Sequence, residues 1–558
     1  MKKTLTLIGL GMALVACTSK KRTDVDYVIR PIVIDSVPAL HVAMQFDADS
    51  SGTTVLQYPN DAWGESDLFN VLHRVGMTEG EAVIEKNKDS GWIVIKHDRD
   101  LERLQFEYVI QQDFEADITT EKVYRPIVQP EYFHVFSHNL FMVPSHAKDT
   151  LELALQWEGF EDDFIIHNSF GSQERRQEVK ISKERFGSAI FVGGDFRVHR
   201  DTIQGNVISL ATRGEWVPFK ETEVMEVLAT TLRCQRNFWD DHSQTYFTVT
   251  MQPFHQEMGS SFQGTGLTNS FATSVSNNGY TDLQQMVYLF NHELMHNWIG
   301  HTIENENEEA QYWFSEGFTD YYTHKNIALH RINGLDASYY IEQMNATARN
   351  LFSSSVRNAP NSEINYANFW SNRDYGKLAY YRGTLFAFYM DQTIRKRSLG
   401  AKSLDDMMRD ILADAVNSGQ KLSHTYFLDV ASRYMPEGFE RFFETHILKG
   451  KDYPLAEVYS KLGLQFEPKS TLYELGVQLS PEEDLVLSVV AGSRAEKAGV
   501  RAGDRLFSRS IWYGDASKEV ELGILRNGQK IQVAYYPIRE AAIPTLLDSE
   551  TNRELLIP

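Results

Sequence analysis

Cysteine is nearly missing: the 558 residues contain two, Cys17 and Cys234, so no framework of several disulfides can organise the chain. Positive charge is the minority. The 55 Lys and Arg against 76 Asp and Glu leave a formal charge of -21, which argues against a nucleic-acid partner because phosphate binding needs clustered cations. Low-complexity tracts and short repeats are also lacking. What is present is material for packed domains, with 42% hydrophobic and 12% aromatic residues, and the length suggests roughly three or four of them.

Lys2 and Lys3 precede an apolar run from Leu5 to Ala16 that is too short to span a bilayer and reads as a secretory signal. Its ending, Leu14-Val15-Ala16-Cys17, resembles a bacterial lipobox. That resemblance implies that residues 1–17 are a lipoprotein signal segment ending in the lipobox Cys17, with Cys17 lipidated and left as the mature N-terminus by cleavage just before it, and membrane attachment in the bacterial cell envelope, on the periplasmic or the outer face. Cys234 then has no partner and is expected to be a buried, inert thiol. Residues 18–27 are polar enough to serve as a tether.

Three patterns follow one another. Over residues 28–215, short β-branched and aromatic segments such as Trp92–Lys96, Phe106–Ile110 and Ser188–Val192 predict a β-rich domain. Over 216–460, apolar residues at helical spacing predict a mostly helical domain, preceded by a strand Tyr246–Met251 stopped by Pro253. Over 461–542, short strands resume around the Gly-rich stretch Ala498–Asp504 as a separate module, leaving 543–558 as a tail. The whole is a multidomain α+β chain.

The chemistry concentrates at His292-Glu293-Leu294-Met295-His296, inside a run free of Pro and Gly from Thr281 to Ile299. Four residues apart on a helix, both imidazoles reach one ion, and Glu293 sits beside it to handle a water proton. A tetrahedral catalytic zinc needs a third protein ligand, and Glu316, twenty positions after His296, is the candidate. Asp320, one helical turn further, is placed to accept the free N–H of a ligating His. His301, His324 and His330 are expected on solvated faces or in local hydrogen bonds.

On these residues the chain resembles the glycyl aminopeptidase family, PDZ-bearing relatives of the alanyl aminopeptidases among the gluzincins. The resemblance spans about residues 220–540. It rests on His292-Glu293-x-x-His296-x-Trp298, on Trp313-x-x-Glu316-Gly317-x-Thr319-x-Tyr321-Tyr322, and on Tyr380-Tyr381-Arg382-Gly383. It implies a thermolysin-like catalytic domain over 216–460, with Tyr380 giving a hydrogen bond to the developing oxyanion and Tyr381 as the fallback. Arg382 replaces the family's usual Lys.

The family's amine-gripping Glu has no counterpart. The matching run is Thr265-Gly266-Leu267-Thr268-Asn269, with neutral Thr268 at the Glu position, which weakens an exopeptidase reading. Gly264, Gly266, Thr268 and Asn269 remain candidates for binding an extended substrate backbone, the glycines by allowing close approach.

The C-terminal module resembles a PDZ domain through Gly492-Ser493-x-Ala495-x-x-Ala498-Gly499-Val500-x-Ala502-Gly503-Asp504. That implies capture of a chain terminus, with Leu475-Gly476-Val477 as the carboxylate loop, or simple packing against the peptidase domain.

The expected function is zinc-dependent hydrolysis of peptide or protein substrates, with exo and endo cleavage both open. A silent, surface-anchored peptide-binding protein is the competing class, and hydrolysis of another electrophile such as an epoxide is chemically open to the same centre.

Overall fold

The structure, a computed structural model, describes residues 22–115, 122–482 and 484–557. Cys17, the signal segment and the start of the expected tether lie outside them. Two compact units emerge: one takes in the chain up to Val217 together with Gln244–Tyr280, the other Pro218–Ser243 and everything from Thr281.

The first unit is β-rich, as alternation in its sequence requires. In Arg103–Gln111, Leu104, Phe106 and Tyr108 are buried while Gln105 and Glu107 reach toward solvent. This strand belongs to a six-stranded sheet in which Val25–Ile34 pairs antiparallel with Val37–Asp47 and parallel with Thr150–Trp157. The end of the expected tether is therefore folded. Val25, Tyr27 and Ile29 are buried because alternate side chains of their strand face the hydrophobic core of this unit.

A five-stranded sheet closes this unit, in the order Arg197–Ile203, Asn206–Thr212, Tyr246–Phe254, Ser270–Ser276, Phe262–Leu267. Pro253 does not stop its strand. The Asn206–Thr212 neighbour ends opposite Met251, so the proline falls where one side of the ladder has already finished. By contacts this sheet groups with the N-terminal strands, although three of its strands, Tyr246–Phe254, Phe262–Leu267 and Ser270–Ser276, lie inside the 216–460 segment.

The second unit is built from helices: α1 (Glu221–Trp239), α2 (Leu283–Met295), α3 (Glu308–Ser315), α4 (Gly317–Leu329), α5 (Ala337–Ser353), α6 (Tyr366–Ser371), α7 (Arg373–Arg397) and α8 (Leu404–Ser418). Among the described residues none is long and apolar enough to cross a membrane. Cys234 on α1 is buried, and burial raises its thiol pKa, as expected of an inert side chain.

Helix α4 runs through the middle, with Gly317–Ala328 buried throughout. Its far face carries a buried charge network. Lys325 reaches Asp405 at 2.7 Å and Asp391 at 3.3 Å, Arg395 approaches Asp391 at 3.1 Å, and the hydroxyls of Tyr321 and Tyr322 donate to Asp391 and Asp405. Burial favours the neutral form of Asp391, but Lys325 and Arg395 outweigh it and hold its pKa below the usual carboxylate range.

Residues 470–541 form short strands and one short helix with a core of their own around Val486, Ala495, Val500, Leu522 and Ile524. The residues after them are not a loose tail. Thr545–Leu546 pairs with Phe466–Glu467, the Asn345 side chain of α5 bonds both backbone groups of Leu546, and Leu556 is buried in the helical core.

Candidate metal centre

Helix α2 begins with a reciprocal cap: Asp282 accepts from the Gln285 amide, and the Gln285 side chain accepts from the Asp282 amide. The helix ends at Met295, but His296, its cap, keeps helical φ/ψ of -62° and -15°, so the four-residue spacing of His292 and His296 holds. Trp298 fixes the turn beyond. It stacks on Trp239 at 6.0 Å and donates from its indole to Asp241.

Glu316 sits at the joint between α3 and α4. At the next position Gly317 meets Gly383 of α7 backbone to backbone, and a Cβ on either would overlap the other chain segment. This crossing brings Tyr380, one turn ahead of Gly383, to Glu316. Arg382 faces the other way. Its guanidinium is buried and donates to the carbonyls of Arg357 and Ala359, away from the His292–His296–Glu316 cluster.

Three donor atoms converge. His292 Nε2 lies 3.3 Å from His296 Nε2 and 3.4 Å from Glu316 Oε2, and His296 Nε2 lies 3.8 Å from the same carboxylate oxygen. The outer nitrogens already face acceptors: His296 Nδ1 lies 3.0 Å from the Ile299 carbonyl oxygen and His292 Nδ1 3.6 Å from Asp320 Oδ1. With the protons assigned there, the inner lone pairs all point at one place. Glu316 Oε2 is buried and receives no hydrogen bond. Ligands about 2.0–2.1 Å from a tetrahedral zinc lie roughly 3.3–3.4 Å apart, so these residues fit zinc with one position left over. Among the described residues this is the one group of three or more metal-capable side chains.

Without a cation the cluster takes up protons instead. Burial opposes a charge on His292, but Asp320 and Glu316 outweigh it and raise its pKa to about 10. Burial would also raise Glu316, yet the two histidines and Tyr380 bring it down to about 2. Glu293 is lifted to about 7 by burial, against the pull of His292 and Lys377.

Tyr380 lies with its ring 5.7 Å from that of His292 and nearly parallel. Its hydroxyl interacts with Glu316, and burial together with the Glu316 and Glu293 carboxylates pushes its pKa well above the usual value, so it stays a donor. Tyr381 is half-buried beside Arg373 and Asp374. The Lys377 ammonium lies 4.1 Å from the centre of the Tyr380 ring.

Asp320 faces His292, as its spacing suggested, and is more heavily used than the sequence indicated. Tyr288 donates to its Oδ1 at 2.7 Å, Thr384 donates to its Oδ2 at 3.3 Å, and His324 Nε2 approaches Oδ2 at 3.6 Å. Of the two settings expected for His324, a solvated face or local hydrogen bonds, the structure has the second, with the ring buried and Nδ1 3.0 Å from the Tyr339 hydroxyl. Tyr288, Thr384 and Lys377 escaped the sequence reading, and His324 entered it without a link to the metal cluster. The one local signal was spacing, with Tyr288 four residues before His292 and His324 four after Asp320.

The substrate-strand candidates belong to the first unit. Phe262–Leu267 is the last strand of its sheet, with one paired side. Gly264 is required by packing, since a Cβ there would run into the Phe271 ring. Thr268 is buried, its hydroxyl donating to the Arg185 carbonyl at 2.6 Å and its amide to Ser188 at 2.7 Å. Asn269 makes the turn with φ +51°. In the C-terminal module the Leu475 carbonyl accepts from the Tyr535 hydroxyl and the Gly476 carbonyl from the Val490 amide.

No protein-family model matches the sequence, and no curated protein matches it. Solved structures do. An aminopeptidase N family protein from Idiomarina loihiensis superposes with a TM-score of 0.70 at 14% identity, covering 96% of this chain and 100% of that one. A variant of the M1 zinc metallopeptidase from Deinococcus radiodurans gives a TM-score of 0.44 at 11% identity over 78% and 95% of the two chains. Native yeast LTA4 hydrolase gives 0.44 at 14% identity over 77% and 68%. Over nearly its whole length, this chain shares the fold of the Idiomarina aminopeptidase N family protein.

Proposed function

We propose that the protein is a zinc-dependent peptidase, with His292, His296 and Glu316 as ligands. The observation that carries the reading is the convergence of three lone-pair donors on one point, with Glu293 and the Tyr380 hydroxyl beside them. When bound, zinc supplies Lewis-acid polarisation of a carbonyl and lowers the pKa of water. Glu293 takes the proton of the attacking water and passes it to the leaving amine. The Tyr380 phenol, kept protonated, donates to the oxygen on which charge develops. Asp320 holds the His292 ring in its ligating orientation.

Cleavage within chains is the reading favoured for specificity. Thr268 offers no carboxylate to a substrate ammonium, and its hydroxyl is already donated to Arg185. The open edge of Phe262–Leu267 suits an extended backbone added as a further strand. The C-terminal module is proposed to bind chain termini in the manner of a PDZ domain, and Cys17 to carry a lipid that holds the enzyme to the bacterial envelope.

The test is Glu293→Gln. Peptidase activity on a mixed peptide library should vanish on chelation, return with zinc, and fall by at least a hundredfold in the variant while bound zinc stays stoichiometric. Full activity in the variant would defeat the mechanism, and a fully zinc-loaded parent that cleaves nothing would favour the silent peptide-binding alternative.

A further inference from the structure

We infer that His324 is a positioning residue for the metal centre, acting through Asp320 on the ligand His292; this rests on the zinc-site reading above. The Asp320 carboxylate is shared by two imidazoles. Its Oδ1 faces His292 Nδ1 and its Oδ2 faces His324 Nε2, each at 3.6 Å. The same carboxylate receives the Tyr288 hydroxyl on Oδ1 and the Thr384 hydroxyl on Oδ2. Thr384 also donates to the Gly317 carbonyl, so one contact of Asp320 is anchored where α4 crosses α7.

The second imidazole is itself held. His324 Nδ1 lies 3.0 Å from the Tyr339 hydroxyl of α5, and its ring lies 5.6 Å from the Tyr288 ring. Tyr288 in turn lies 5.7 Å from His292. One tyrosine thus touches both histidines and bonds the carboxylate they share. All of these side chains are buried or half-buried. A carboxylate partner orients a ligating histidine only as well as the carboxylate is itself oriented, and loss of such a partner typically costs 10–100-fold in metal affinity.

A packing role and a positioning role predict different orders of effect. His324→Leu removes both ring nitrogens, whereas His324→Gln keeps an amide N–H within reach of Asp320. Zinc affinity, measured by competition with a chromophoric chelator, should fall about tenfold in His324→Leu and recover partly in His324→Gln. Melting of the zinc-free protein should not follow that order. In an Asp320→Asn background, His324→Leu should add little, because its route to His292 is already cut.

Unchanged zinc affinity in His324→Leu, or a loss that adds in full to that of Asp320→Asn, would overturn the inference while leaving the zinc site intact. A parent protein that binds no zinc would overturn both readings together. Should His324→Leu not fold, Tyr339→Phe removes the hydroxyl on His324 at constant ring size. It should weaken zinc binding a few-fold, and parent-like affinity there would count against the inference.

Discussion

Gly317 and Gly383 are in backbone contact, and through that contact the last metal-ligand candidate and the phenol beside it are brought to one point. A Cβ on Gly383 would overlap the Trp313 carbonyl and crowd Gly317 Cα, so nothing larger than hydrogen fits. In an open helix interior, alanine for glycine stabilises by about 1 kcal/mol. Here the sign should reverse. Gly383→Ala is expected to cost roughly 1–3 kcal/mol as overpacking and to lower activity by shifting Tyr380 from Glu316. Denaturant unfolding and kcat check the two effects, and a stabilised, fully active variant would show that the crossing is loose.

The network behind α4 predicts the effect of Lys325→Met. Removing the cation leaves Asp391 and Asp405 facing each other without Lys325, and breaking a buried pair this way typically costs about 3–5 kcal/mol. Arg395 remains beside Asp391, so the lower end of that range is expected in urea unfolding of the variant.

Zinc binding should release protons. A ligating imidazole must be neutral, yet without metal His292 has its pKa raised to about 10 by Asp320 and Glu316 against the effect of burial. At pH 7 it then carries a proton that zinc has to displace. Apparent zinc affinity should therefore rise with pH, by up to about tenfold per unit for one proton. Calorimetric titration in buffers of different ionisation enthalpy measures the count, and heats that do not depend on the buffer would contradict it.

The grouping of His292, His296 and Glu316 was legible because its geometry is local. A spacing of four puts His292 and His296 on one helix face, and Glu316 with Asp320 repeats the device on the next helix. The rest depends on contacts between distant segments. His324 reads as one more polar residue, solvated or in a local hydrogen bond, until α2, α5 and α7 are packed around α4 and leave it no solvent. The same holds for the final residues, where Leu546 and Leu556 give no periodic signal long enough to announce that they dock on α5 and its neighbours. Pro253 misled for a related reason, since a proline stops a strand only where a ladder bond is needed, and the neighbouring strand ends at Thr212, opposite Met251 and far earlier in sequence.

Acid should weaken the β-rich unit through three buried histidines. Burial lowers His134 to about 3, His167 to about 3 and His138 to about 4. Neither nitrogen of His138 has a hydrogen-bond partner, and His134 and His167 each leave Nδ1 without one. The unfolded chain binds protons on these groups below about pH 6.5 while the folded one does not, so stability is complete above that pH and falls as pH drops toward 4. Each group contributes a slope of at most about 1.4 kcal/mol per pH unit. Thermal melts at pH 7.5 and 5 should show the loss, and His138→Phe, which keeps the aromatic contacts with Trp63 and Phe136, should reduce it.

Acetylation of the substrate separates the two modes of cleavage. An enzyme that anchors a free amine needs a buried carboxylate to replace the water that the ammonium loses, and leaving that charge unpaired costs several kcal/mol. Thr268 stands where the resemblance requires that carboxylate, and it cannot be recruited by a rotamer change without giving up its bond to Arg185. Matched free and N-acetylated peptides should therefore be cut at similar rates, at internal bonds identified by mass spectrometry. Cleavage confined to the first residue and abolished by acetylation would mean that another acidic side chain has taken over the amine, and the endopeptidase reading would be abandoned.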